Sequence, residues 1–360
     1  MPVSGVGANM AGVAVDLRRV GEVQARICRE NGSPLYEAIV AALVDRLDGD
    51  TAAAELLRTD PGDPIGTALF LRFLGAVHRI VLADPASPLC AYFPSTGGTP
   101  DVEAVVPAFF AVVEEHRDHL ARAMQAEVQT NEVGRAAVLS AAVNWVVERI
   151  GGPVRLLEVG ASAGLNLWLD RYRVTTATTS WGPPHSPVNL DDHFASGSPP
   201  TPHVEVVERR GCDRNPLDLA QPSTRDLLRS FIWPEHTERL ARLDAAFAVA
   251  EPVPIDRAHA DDWAAEQLSA LPDDVTTVLF HSVVMQYLEA AEVARFERTI
   301  RAAAHPRLAW LAMEPTPDYR HFEVTVEFGR PAQRVLLATT TAHGRDICWS
   351  PTTPSAPPGV

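Results

Sequence analysis

Apolar residues recur with two different periods along the chain, and the change comes near residue 150. Up to that point the apolar positions follow the three-to-four-residue spacing of amphipathic helices. The clearest helical segments are Leu35–Leu47, Ile65–Leu82, Val102–Met124 and Ala136–Ile150. Ser33 and Pro34 are expected to cap and open the first of them. Clusters of Asp, Pro, Ser and Gly between the segments are typical of turns, so the pattern predicts an all-α N-terminal domain over residues 16–135.

Beyond residue 150 short apolar runs of strand length alternate with helical segments. The runs are Val154–Val159, His203–Val207, Val253–Ile255, Thr276–Ser282 and Leu308–Met313, and the helices are expected over 223–232, 235–249 and 291–304. This alternation predicts five parallel strands joined by right-handed crossovers. Phe322–Phe328 and Arg334–Thr341, joined by a Gly-Arg-Pro-Ala turn, predict a C-terminal antiparallel hairpin. An α/β domain is therefore expected over residues 136–349.

Three segments fall outside these patterns. Residues 175–202 form an insertion rich in Pro, Thr and Ser, which is too long for an ordinary connection and is expected to be a lid or a surface loop. Residues 1–15 are small and apolar without a basic region, which predicts a disordered leader rather than a signal peptide. Residues 350–360 are Pro-rich and are expected to form a disordered tail.

Composition excludes several functional classes. A net charge of -15 and a pI of about 5.2 argue against a general nucleic-acid binder. Lysine is absent from the chain, which excludes phosphate-loop ATPases and enzymes that need a Schiff-base lysine. The four cysteines are scattered, as in a reduced cytoplasmic protein, and no apolar run reaches the length of a membrane span. We expect a cytoplasmic protein with a small-molecule partner; the oligomeric state stays open.

The stretch Val154–Asn166 combines a predicted buried strand, a turn of small residues and, from Leu165 to Leu169, the predicted first turns of a helix. Glu158-x-Gly160-x-x-x-Gly164 is typical of nucleotide-type binding, in which the backbone and a helix N-terminus approach the ligand. The same turn, Gly160-Ala-Ser162-Ala-Gly164, also spells the nucleophile elbow of serine hydrolases. A tight turn without any ligand is the third interpretation.

Two further stretches carry candidate polar groups. Asp213 follows the second strand, where a carboxylate suits the hydroxyls of a ribose, and without the insertion its distance from Gly160 approaches the roughly 20 residues expected. Asn131, Glu132 and Arg135 precede the helix that begins at Ala136. Either Thr130 or Asn131 caps that helix, with Glu132 favourable at its start, or Asn131, Glu132 and Arg135 line the mouth of the site.

Five strand–helix units and a hairpin, with acidic residues after the first strands, resemble the class I S-adenosylmethionine-dependent methyltransferase fold. The motifs that carry the resemblance are Leu156–Asn166, Gly211–Pro216, Ala260–Trp263 and Phe280–Leu288. Together with Thr130–Glu132 and Trp233-Pro234, they are also similar to a bacterial family named domain of unknown function 2332, over nearly the whole chain.

The methyltransferase resemblance implies a role for each matching residue. Glu158 and the backbone of the turn would hold the methionine part of S-adenosylmethionine, and Asp213 would bind its ribose. Asp261 or Asp262 would contact the adenine amino group, with Trp263 nearby. His281 would be a general base or an orienting group, and the alternative is a satisfied histidine at a strand end. The implied cofactor-binding residues are Glu158, Gly160, Ala161, Ser162, Gly164, Asn166, Asp213, Asn215, Asp261, Asp262 and Trp263. The implied substrate-binding residues are Asn131, Glu132, Arg135, Gln286 and Tyr287. No metal site is expected.

Two alternatives to an active methyltransferase remain. A methyltransferase-like protein without catalytic activity could use the same site only for binding. A serine hydrolase would need Ser162 as nucleophile with Asp262 and either His281 or His305, which satisfies the chain order of that class. Against a hydrolase, only helices precede the strand that leads to Ser162, and Glu158 places a charge in it.

Overall fold

The computed structural model describes residues 16–355, and they form two compact units. Unit 1 runs up to Thr130 and includes Gln221–Ala241, whereas unit 2 comprises Asn131–Ala220 and the chain from Arg242 onward. The predicted leader, 1–15, lies outside the described residues, as do the last five residues of the predicted tail. The rest of that tail is paired, because Ser355 forms an antiparallel bridge with Arg334.

Helices dominate unit 1 and alternate with strands in unit 2. The α-helices within residues 16–355 are α1 (Leu17–Glu30), α2 (Pro34–Asp45), α3 (Ala52–Arg58), α4 (Leu69–Ala83), α5 (Val105–Glu115), α6 (Arg117–Ala123), α7 (Ala136–Ile150), α8 (Pro222–Ser230), α9 (Thr237–Val249), α10 (Ala260–Leu268) and α11 (Ala290–Ala303). The strands are β1 (Val154–Val159), β2 (Arg173–Thr175), β3 (Ser180–Trp181), β4 (Asn189–Leu190), β5 (Phe194–Ser196), β6 (Val206–Asp213), β7 (Ile255–Arg257), β8 (Thr276–Ser282), β9 (Leu308–Pro315), β10 (Phe322–Phe328), β11 (Gln333–Thr340) and β12 (Ile347–Trp349). None of these helices is long and apolar enough to span a membrane.

Unit 1 packs its helices around a core that includes Leu35, Phe73, Phe93 and Phe109, all less than 2% exposed. The prediction of one long helix over 102–124 is wrong in one respect, because the chain breaks at His116 into α5 and α6. The local apolar spacing continues across the break, so it does not reveal this change of direction.

The segment Gln221–Ala241 belongs to unit 1, although the sequence places it between strands of the α/β domain. The Trp233 ring lies 6.2 Å from that of Tyr36 in α2. The carboxylate of Glu235 accepts hydrogen bonds from Ser33 Oγ and from the Leu35 N–H, both at 2.7 Å. Ser33 itself makes no side-chain cap to α2. The cap of α2 therefore comes from Glu235, and the segment Gln221–Ala241 completes the helical core.

Unit 2 contains a nine-stranded sheet within the described residues, in the order β5-β12-β11-β10-β9-β8-β1-β6-β7. The five strands β7, β6, β1, β8 and β9 pair in parallel, as predicted. β10 and β11 form the predicted antiparallel hairpin. The predicted strand count is too low, because β12 and β5 extend the sheet beyond the hairpin. β5 lies inside the insertion 175–202, which therefore contributes an edge strand.

The connection from β1 to β6 also differs from the prediction. The helix expected after the glycine turn is a 3-10 helix, Leu165–Arg171, interrupted by non-helical dihedral angles at Trp168. The chain then enters a second, three-stranded sheet of order β3-β2-β4. β6 continues to Asp213 instead of ending at Val207, and Arg209 and Arg210 along it form ion pairs with Asp170 and Asp256. Without a regular α-helix here, a helix macrodipole adds little at this turn.

Alternate residues of β1 point to opposite faces of the sheet. Leu157 and Val159 join an apolar cluster that contains Trp263 of α10 and Phe296 of α11. Glu158 lies between them in the sequence and therefore points to the other face. This alternation places a buried carboxyl group next to the carboxyl edge of the sheet.

Candidate functional site

Glu158 is the most deeply buried acid of the predicted site, with 2% of its surface exposed. The Asn166 side chain donates a hydrogen bond to it, but Oε2 of Glu158 accepts none from the described residues. Burial raises the pKa of Glu158 well above its usual value, and the charge of Asp213 adds to the rise. Arg135 and the hydrogen bond from Asn166 oppose that shift in part. Oδ1 of Asn166 is also buried and has no hydrogen bond to any residue that the structure describes.

The glycine turn after β1 uses most of its backbone donors inside the protein. The N–H groups of Gly160 and Ala161 donate to the Cys212 carbonyl, and that of Gly164 donates to the Ala161 carbonyl. Gly160 and Gly164 have φ angles of 70° and 74°, which favour glycine. A Cβ at Gly160 would also lie 2.4 Å from a methyl group of Val284. The expected backbone cradle for a ligand is therefore reduced, since these donors are already bonded.

Asp213, the last residue of β6, ties that strand to the turn. Its Oδ2 accepts the Ser162 N–H and its Oδ1 accepts the Asn215 N–H, each at 2.8 Å. Asn215 Oδ1 in turn accepts a hydrogen bond from Arg257 at the end of β7. Each carboxylate oxygen has two lone pairs, so Asp213 retains acceptor capacity for a ligand.

Two of the residues predicted at the mouth of the site bond to the chain at the carboxyl ends of β1 and β8. Asn131 Oδ1 accepts the Leu165 N–H at 3.0 Å and thereby holds the end of the glycine turn. Arg135 donates to the carbonyl of Ser282, at the end of β8, and to that of Ala342. Glu132 accepts the Gly134 N–H, and its Oε2 lies 3.3 Å from Nδ1 of His343. Asn131 and Arg135 thus hold the site together. The N-cap predicted at Thr130 or Asn131 is wrong, because α7 has no side-chain cap and Glu132 instead caps the short 3-10 helix Val133–Arg135 that precedes it.

His281 lies near the end of β8 and has both ring nitrogens engaged. Trp310 Nε1 donates to His281 Nε2 at 3.0 Å, and His281 Nδ1 lies 2.6 Å from Oε1 of Glu314. Because an indole N–H can only donate, Nε2 is the acceptor and the ring proton lies on Nδ1. His281 therefore donates to Glu314, and its role as a general base stays a prediction.

Glu314, near the end of β9, is the residue that the sequence analysis missed. Besides His281, its Oε1 accepts the Val284 N–H at 3.0 Å. Its Oε2 is buried and has no hydrogen bond among residues 16–355. The signal in the sequence was an acidic residue directly after a predicted buried strand, the same signal that pointed to Asp213.

The segment after β8 carries the predicted substrate-binding residues Gln286 and Tyr287 on a 3-10 helix, Met285–Tyr287. Tyr287 is 58% exposed. Val283, just before this helix, has a φ of 61°, which is rare and costly for a β-branched residue. Strained backbone of this kind is concentrated at functional sites.

The residues predicted to contact adenine lie at the start of α10, and two of the three have other partners. Asp261 forms an ion pair with Arg295. The Trp263 indole donates to Asp256 at 2.7 Å, with only 2% of the side chain exposed. Asp262 is exposed in the first turn of α10. Asp262 is therefore the more available of the two carboxylates, and the adenine contact itself remains a prediction.

Neither histidine required by the hydrolase alternative is placed to act as a base for Ser162. His281 uses both ring nitrogens, as described above. His305 precedes β9 and so lies at the amino edge of the parallel strands, whereas Ser162 follows β1 at the carboxyl edge. The geometry therefore assembles neither of the two proposed triads.

Taken together, the carboxyl edge offers open acceptors rather than open donors. Three buried oxygens have no hydrogen bond from residues 16–355: Glu158 Oε2, Asn166 Oδ1 and Glu314 Oε2. A phosphate-bearing nucleotide would need donors at this place, and most backbone donors of the glycine turn are already bonded. The arrangement instead suits a ligand that brings N–H, O–H or positively charged groups.

Comparison with known proteins places the chain in a family. Residues 18–349 match the family described as "Uncharacterized protein conserved in bacteria (DUF2332)", so the chain belongs to that family. Neither the curated proteins nor the solved structures contain a match to it.

Proposed function

We propose that this DUF2332 protein binds S-adenosylmethionine at the carboxyl edge of β1 and β6 and is a methyltransferase acting on a small molecule. The observation that carries the proposal is the buried Glu158, with an open oxygen, beside Asp213. In sheets of this kind ligands bind where the strand order reverses, and here β6 and β8 flank β1 on opposite sides. The resemblance of the sequence to class I methyltransferases supports the same location.

The chemistry of the open groups fits this cofactor. S-adenosylmethionine carries an ammonium group, ribose hydroxyls and an adenine amino group, all of which are donors, and a positively charged sulfonium. Glu158 and Asn166 have unfilled acceptors, and Asp213 has spare lone pairs. When bound, the cofactor would supply an activated methyl group, so the task left to the protein is to position the acceptor.

Isothermal titration of the full chain with S-adenosylmethionine and S-adenosylhomocysteine tests the proposal. We expect both to bind, and we expect Asp213→Ala to weaken binding by about tenfold or more, since hydrogen bonds to charged groups are the strong ones. Glu208→Gln is the matched control, because Glu208 lies on the same strand but outside the site. Absence of binding to the wild-type protein, or equal binding by Asp213→Ala, would overturn the proposal.

One observation favours the non-catalytic alternative. Both ring nitrogens of His281 are bonded within the protein, so the predicted general base is not free to accept a proton. Transfer of an isotope-labelled methyl group from S-adenosylmethionine into the small molecules of a bacterial extract separates the two functions. Binding without any labelled product supports a binding protein, whereas a labelled product supports the enzyme.

A further inference from the structure

The carboxylate of Glu314 is anchored on one oxygen and open on the other. Oε1 accepts the Val284 N–H and is bonded to His281, whose ring is only 1% exposed and is held by Trp310. Phe296 packs against the His281 ring in a T-shaped arrangement, with ring centroids 5.8 Å apart. This support leaves the carboxylate little freedom to turn, so the position of Oε2 is fixed.

Maintaining this arrangement is costly for the protein. Oε2 is removed from solvent without a compensating hydrogen bond from the described part of the chain, and such a group destabilises the folded state. The Val284 N–H that helps to hold Oε1 comes directly after the strained Val283. An open acceptor and strain in adjoining residues are expected together where a ligand completes the bonding.

The charges around Glu314 select the kind of ligand. Glu323 on β10 lies directly opposite Glu314 in the antiparallel register, and like charges in that position repel. Within residues 16–355 no arginine forms an ion pair with either carboxylate. No group of three or more His, Cys, Asp or Glu side chains in that part of the chain is arranged to hold a metal ion. An organic cation therefore suits the position better than a metal.

We propose that Oε2 of Glu314 accepts a hydrogen bond from the protonated amino group of the substrate, so that the substrate is a basic amine. This inference rests on the proposed function only in that the bound amine is the molecule to be methylated. Tyr287 is largely exposed and lies within electrostatic range of Glu314, so it offers an aromatic surface in the same region as this carboxylate.

Three probes that share one ring test this assignment: benzylamine, benzyl alcohol and benzoate, titrated into the full chain and followed by NMR. We expect benzylamine to bind most tightly and to shift the His281 Nδ1 and Trp310 indole signals, because both groups are coupled to Glu314 through hydrogen bonds. Glu314→Gln should weaken benzylamine binding by about tenfold or more and leave benzyl alcohol nearly unaffected.

The choice of glutamine makes the variant selective. His281 and Val284 both donate, so the amide oxygen must take the place of Oε1, and the amide nitrogen then replaces the open acceptor by a donor. The supporting hydrogen bonds are thereby preserved. Glu323→Gln is a second variant that leaves those bonds untouched and should weaken benzylamine binding severalfold. Glu266→Gln, an exposed carboxylate on α10, should have no effect.

Equal affinity for the three probes, or unchanged benzylamine binding by Glu314→Gln and Glu323→Gln, would overturn the inference. These results are independent of cofactor binding. A protein that binds S-adenosylhomocysteine but shows no preference for the amine keeps the proposed function and loses this inference. A protein that prefers the amine but binds no cofactor does the reverse.

Discussion

Asp213 Oδ2 accepts the backbone N–H of Ser162 at 2.8 Å, across 51 positions of the sequence. This bond joins the end of β6 to the middle of the turn that follows β1, where Ser162 has a φ of 53°. The carboxylate predicted to bind a ribose therefore also shapes the turn. One side chain has a structural role and a proposed binding role, and the two can be separated by experiment.

Substituting Asp213 should change the stability of the protein even without any ligand. Asp213→Ala leaves the Ser162 and Asn215 N–H groups without their acceptor, so we expect the free energy of unfolding to fall by about 1–3 kcal/mol. Asp213→Asn keeps one acceptor oxygen and should cost less. Urea denaturation of both variants measures this difference, with Asp274→Ala, an exposed acid before β8, as the control. Equal stability of Asp213→Ala and wild type would show that the two hydrogen bonds contribute nothing.

Glu158 should make the protein less stable as the pH rises. Burial and the charge of Asp213 raise the pKa of Glu158 in the folded state above the value of 4.5 expected for an exposed glutamate. The folded protein therefore binds the proton more tightly than the unfolded chain. Stability contributed by this group is fully present below pH 4.5 and is lost as the pH rises through the folded-state pKa.

The glutamine of Glu158→Gln does not titrate, so the variant should lack this part of the pH dependence. As the pH rises, we expect the unfolding free energy of the wild type to fall relative to that of the variant. Denaturant unfolding at a series of pH values measures this difference. Glu208→Gln, on β6, serves as the control. Parallel pH profiles for wild type and Glu158→Gln would contradict the raised pKa.

His78 should produce the opposite dependence, in unit 1. Its ring is fully buried between the Ser230 carbonyl and Ser95 Oγ, and burial lowers the pKa of His78 from 6.5 to about 4, although its backbone hydrogen bonds oppose that shift. The unfolded chain binds the proton more tightly than the folded protein. Stability is therefore fully present above pH 6.5 and falls between pH 6.5 and 4, by about 3 kcal/mol in total.

His78→Asn should lower stability at neutral pH but flatten its decline between pH 6.5 and 4. Chemical denaturation at several pH values gives the slopes, and His185→Asn, an exposed histidine, controls for histidine loss in general. A variant that keeps the wild-type slope would show that another group is responsible.

Glu235 should stabilise unit 1 from a distant part of the chain. It binds Ser33 Oγ and the Leu35 N–H, and so satisfies a donor in the first turn of α2. Glu235→Ala should lower the free energy of unfolding by about 1–2 kcal/mol, the usual cost of losing a helix cap. Ser33→Ala removes one of the two bonds and should cost less, and Glu30→Ala, exposed at the end of α1, should cost little. If Ser33→Ala proved the more damaging of the two, Ser33 rather than Glu235 would be the effective cap.

Elements with a strong local pattern were predicted well. α7 runs from Ala136 to Ile150, as the spacing of its apolar residues indicates, and β10 has the predicted bounds. The helix predicted over Val102–Met124 shows the limit of that method, because the apolar period passes through His116 unchanged while the chain turns. Periodicity reports which side of a segment is buried, but not whether the segment is straight.

The amino-acid sequence by itself determined the two classes of structure, the parallel direction of the central strands and the acidic residues at their carboxyl ends, because these depend on patterns along the chain. Only the tertiary structure decided that Glu235 caps α2, that β5 joins the large sheet, and that the donors of the glycine turn are bonded internally. It also decided that Glu158 and Glu314 each keep an open oxygen. Hydrogen bonding of this kind depends on partners that meet only after folding, so no local pattern encodes it.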